Sequence, residues 1–160
     1  MAAPNTALII RVPSTVVFNG TTLGETRAIE FTPNQMVRPV WAEELGVWAD
    51  VFTVGCKVQC KFTLRYPDSD ALAAACPGNS GSTWTYNATG SNRAGLSRYA
   101  SAGSLVITPR AASHPPITLQ QAILILSEAA SLLYAWNHEW GLEVMAYGTM
   151  DGSANVYKVG

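Results

Sequence analysis

The side chains able to do chemistry in this sequence are few and scattered. There are two histidines, His114 and His138, and three cysteines, Cys56, Cys60 and Cys76. A histidine metal site on a helix needs a second ligand one turn on, but the position four after His138 is Leu142. The sequence therefore predicts no metal site, and no motif in it calls for a cofactor. Gly78-Asn79-Ser80-Gly81-Ser82 has the glycine spacing of a turn around a nucleophilic serine. Such a serine needs a base oriented by a third group, and neither histidine has that context. It reads as a solvated turn, and the chain is expected not to be an enzyme. Neither a Walker-type nor a dinucleotide-type glycine loop occurs, so no phosphate cradle is expected.

Asp68 and Asp70 can be read as cation ligands, but Asp68 also suits a helix N-cap, which accounts for it without a metal. Asn19-Gly20-Thr21 and Asn87-Ala88-Thr89 match the glycosylation acceptor, a chemistry that the missing signal peptide pattern leaves out of reach. Cys56 and Cys60 stand four apart in a strand pattern, which separates their Cα atoms by ~13 Å. A disulfide needs ~4.4–6.8 Å. Both cysteines are therefore read as small buried hydrophobes. Five tryptophans (Trp41, Trp48, Trp84, Trp136 and Trp140) are either a sugar-stacking platform or packing for a core or interface.

The 160 residues and 17.1 kDa fit one domain, 1–160. Charged residues make up 13% against 48% hydrophobic, which excludes intrinsic disorder. A net charge of −1 argues against a dedicated nucleic-acid binder. So thin a charged cover implies that part of the surface faces other protein. Ala122 to Leu126, the most strongly apolar cluster, is too short to cross a membrane as a helix, so no membrane partner is expected. The first residues lack a signal peptide pattern, and synthesis in a cytoplasm is expected.

The clearest element is 56–66. Cys56, Val58, Cys60, Phe62, Leu64 and Tyr66 alternate with Lys57, Gln59, Lys61, Thr63 and Arg65, the pattern of a strand with one buried and one wet face. Asp68 then N-caps a short helix to Ala75, which Cys76-Pro77-Gly78 ends. Further strands are expected over 8–18, 26–32, 83–88, 105–108 and 142–149, separated by turn residues such as Asn19-Gly20. Met150-Asp151-Gly152-Ser153 suggests a hairpin joining 141–149 to 154–159. Residues 90–103, rich in Ser, Gly and Ala, read as a flexible loop. Residues 119–136 suit either a helix or a buried strand. The sum is a mainly β domain with one short α-helix.

Taken in order, the elements of 20–78 resemble those of the major tail tube proteins of long-tailed bacteriophages. The resemblance rests on Gly24-x-Thr26-x-x-x-x-Phe31, an acidic loop with Glu43-Glu44-Leu45-Gly46, the alternating strand, and Asp68-Ser69-Asp70-Ala71-Leu72. Leu105-Val106-Ile107-Thr108-Pro109 is similar to a further strand of that family, and 143–160 to its closing hairpin. The resemblance spans about two thirds of the chain.

It implies a β-sandwich flanked by a helix, with residues 119–136 mostly strand and loop. Six copies would form a ring whose sheets join into an inner barrel, and rings would stack into a tube in the virion, made in the host bacterial cytoplasm. The implied partners are other copies of the chain, a tape measure protein and a tail terminator. Phage DNA would pass through the lumen unbound during ejection. Within that frame, 39–50 is expected to be a loop contacting the adjacent ring through Trp41, Leu45, Val47 and Trp48. The competing reading puts both tryptophans in their own core. Other readings of the chain are a head–tail joining or tail terminator ring protein, or a small carbohydrate-binding β-sandwich.

Overall fold

The computed structural model describes residues 8–44, 46–65, 95, 97–126, 133–134, 140–153 and 155–160. It is mainly β, as the sequence pattern predicts, with nine strands in one antiparallel sheet among the described residues. These are β1 (Leu8–Ile10), β2 (Ser14–Phe18), β3 (Thr21–Ala42), β4 (Val47–Arg65), β5 (Gly103–Pro109), β6 (Ile117–Leu126), β7 (Leu133–Tyr134), β8 (Trp140–Thr149) and β9 (Tyr157–Val159). The expected helix from Asp68, the strand 83–88 and the turn at Ser80 lie outside the described residues.

Alternation dictates the core. On β4, Val58, Cys60, Phe62 and Leu64 are buried, while Lys57, Gln59 and Thr63 between them are exposed. On β6, Leu119, Ala122 and Leu124 are buried, so 119–126 is strand despite its alanine and leucine content. Tertiary burial overrides a weak local propensity. The chain leaves β2 through Asn19-Gly20, both with positive φ (49° and 82°), and Phe18 faces Thr21 across the two-residue turn. Asn-Gly is the pair that adopts this twist at least cost.

The sheet bends round on itself. β4 pairs with β3, β3 with β2, β2 with β5, β5 with β6, β6 with β8, and β8 with β4 again. A six-strand circuit therefore closes within a single chain, with its buried side chains gathered in one cluster. Phe31, Phe62, Ile29, Leu105, Ile107, Leu124 and Val144 belong to the single core this encloses. The two buried polar residues among those described satisfy themselves locally. Ser14 Oγ donates to the Val12 carbonyl and Thr26 Oγ1 to that of Ala28, each at 3.0 Å.

Three details differ from the sequence reading. The strand expected over 26–32 is part of the much longer β3, with an irregularity between Thr26 and Ile29. Cys56 is exposed, because β8 stops covering β4 at Val58. Residues 150–153 form no hairpin. β8 and β9 both run antiparallel to β6, one after the other, and the segment between them bulges out. Asp151 closes that bulge: its Oδ1 accepts the backbone N–H groups of Ser153 and Asn155 at 2.8 Å, and its own N–H donates to the Asn155 carbonyl. The Asn155 N–H leads in holding this exposed carboxyl below the usual carboxylate range.

Phe62 is fully buried at the centre of this circuit. Phe62→Ala is expected to cost about 3–5 kcal/mol in a urea denaturation series, the usual penalty for emptying a buried aromatic site.

Candidate functional site

Among the described residues, those read as possible chemistry do not assemble into a site. Ser113 Oγ and His114 Nδ1 meet at 3.1 Å in the exposed turn before β6. Among the described residues no three metal-ligating side chains gather. A surface groove lined by Arg11, Glu30, Lys61 and Glu143 mixes both signs of charge, and Lys61 pairs with Glu143 at 3.2 Å. Asp68, Asp70 and His138 lie outside the described residues.

What stands out is the length of β3 and β4, at 22 and 19 residues. The neighbours of this pair stop early. β1 pairs with β3 only to Phe31, and β8 pairs with β4 only from Val58. Residues 34–42 and 47–57 then run on as a two-stranded arm, about 30 Å long at the strand rise. Valine, tryptophan and phenylalanine supply its β-propensity. Gly46, with φ 63° and its N–H on the Ala42 carbonyl at 3.0 Å, makes the tip turn. The expected loop 39–50 is thus the end of a hairpin.

Directly opposed residues share a face. One face of the arm carries Val37 with Thr53, Pro39 with Val51, and Trp41 with Trp48. The other carries Arg38 with Phe52, Val40 with Asp50, and Ala42 with Val47. On β3 the first face follows Phe31 at two-residue steps, so it continues the core-facing side of the sheet beyond the core. Trp41 is 49% exposed and Trp48 60%, which places both outside their own core. Their rings meet edge to face, 4.9 Å apart at 83°. The edge of one therefore covers the face of the other, and the pair offers no parallel platform for a sugar. Val47 is exposed beside them; Leu45 lies outside the described residues.

The arm's strand edges are blunted. Asp50 Oδ1 accepts the Val51 N–H at 2.7 Å, and Pro39 opposite has no N–H to offer. A proline and a self-satisfied amide hinder a further strand at this level. The arm's available surface is therefore its apolar faces. Reading 39–50 as a loop missed this. The available signal was strand composition continuing unbroken on both sides of Glu43-Glu44.

No family model matches the chain, and no curated protein matches it.

Burial pushes the Cys60 thiol up to about 12, whereas Cys56 is exposed where the arm leaves the body. In a Cys76→Ser background, a thiol reagent at pH 8 is expected to label one cysteine rapidly, Cys56. Labelling of Cys60 without denaturant would contradict the closed circuit.

Proposed function

We propose that this chain is a self-assembling structural subunit of a phage tail tube, in which six copies form a ring and rings stack into a conduit for DNA. The observation that carries this reading is the arm. It is an apolar hairpin that no other described strand flanks, at the segment whose tryptophans and neighbouring acidic residues suggest an inter-ring contact from sequence. Nine large apolar side chains stand exposed along it, among them Val37, Val51, Phe52 and Val54. An exposed apolar surface of this extent marks an interaction site. The arm acts through contact between copies, Trp41, Val47 and Trp48 leading. Strands with an open side among the described pairings, β1, β7 and β9, are where the sheets of neighbouring copies join into the inner barrel. Contacts that close around a ring and repeat along an axis make a tube. The lumen passes DNA without gripping it, which a chain of near-neutral charge permits. Tube length is set by a tape measure protein and ended by a terminator.

Negative-stain electron microscopy of the untagged protein over a concentration series tests this. Hollow tubes or stacked rings of uniform diameter are expected. Trp48→Ala is expected to abolish stacking while shifting the denaturation midpoint little, since surface changes usually stay within about 0.5 kcal/mol. A monomer at every concentration would overturn the reading. Single rings that never stack would replace it with a terminator or joining role.

A further inference from the structure

Large exposed apolar side chains of the described residues fall on the arm and in one other region, the surface around the end of β8 and β9. Two of that second group are in contact, and a third stands on the strand that leads to them. Tyr99 Oη donates to the Met150 carbonyl at 3.3 Å, and Tyr147 precedes Met150 by three residues. Tyr147 faces outward, because Ala146 and Val144 on the alternate positions of β8 are buried.

Two exposed lysines flank this strip. Lys57 lies diagonal to Tyr147 across the β4–β8 pair, in which Gln59 is opposite Tyr147. Lys158 faces Thr118 on β9, the strand that follows β8 along β6. Neither lysine joins an ion pair among the described residues. The arm tip is the complement: an exposed Trp41–Trp48 pair followed by the exposed carboxylates Glu43 and Glu44.

We infer that the arm tip of one copy seats on the Tyr99, Tyr147 and Met150 strip of a second copy, with Glu43 and Glu44 meeting Lys57 and Lys158. This rests on the self-assembly reading and names the receiving surface for it. The contact is between copies because the strip sits at the root of the arm, where Val58 makes the last pair with β8. The tip stands about 30 Å away along a continuous ladder. Each copy then gives an arm and takes one. The contact is heterologous and able to propagate, and it offsets successive copies by roughly the arm's length.

Charge reversal tests the pairing. Two double variants, Glu43→Lys with Glu44→Lys and Lys57→Glu with Lys158→Glu, are made separately and then combined in one chain. Each double variant is expected to raise the concentration threshold for assembly, measured by light scattering, about tenfold or more. The quadruple variant is expected to restore it. Circular dichroism and denaturation midpoints confirm that each variant is folded. Wild-type tubes with folded double variants that assemble normally, or a folded quadruple variant that stays defective, would overturn this contact and leave the tube reading standing. A wild-type chain that never assembles would remove both.

Discussion

A two-stranded ladder cannot bury its own surface, and that limit governs the organisation of this protein. In water an isolated hairpin is marginally stable. Here β3 and β4 are anchored for half their length by β8, β1 and β2, then continue for about 30 Å with no third strand among the described residues. The anchored half fixes the register of the free half, so a stable body holds out an arm that is not stabilised by burial. The free energy still available to the arm lies in covering Val37, Pro39, Trp41, Trp48 and Val51 with something else.

The body, by contrast, is largely closed on itself. Closing the circuit through the β6–β8 pair leaves the strands of the core without open edges along their paired lengths, and so without a template for uncontrolled pairing. On the arm itself, Pro39 and the Asp50 carboxylate restrain pairing at the edges and leave the faces available. Two irregularities, one at Met36/Val37 and one at Val40/Trp41, lie within the arm and adjust its twist. The second comes where the two tryptophans are brought ring to ring.

Much of the body was legible from sequence because period-two alternation has one solution when one face is buried. Val58, Cys60, Phe62 and Leu64 announce a half-buried strand, and Asn19-Gly20 announces the turn between β2 and β3. Three readings failed where partners distant in sequence decide. Cys56 continues the alternation of 56–66 perfectly, yet it is exposed because β8 ends two residues before reaching it. The bulge at Asp151 has the residues of a hairpin turn, but β9 pairs with β6 instead of returning along β8. The arm looked like a loop because Glu43-Glu44 and Gly46 are real turn signals. Only the pairing of 34–42 with 47–57 reveals that the flanking residues are strand. That Trp41 and Trp48 matter was readable from type and spacing. That they stand outside the core was not, because burial belongs to the fold as a whole.

Amide hydrogen exchange on the wild-type protein, followed at increasing concentration, addresses most directly the claim that the arm is completed by another copy of the chain. Body strands such as β6 and the paired half of β4 should be protected at every concentration. Residues 34–42 and 47–57 should exchange quickly in dilute solution and gain protection as copies associate. An arm whose exchange stays the same from dilute solution to the assembled state would contradict the account.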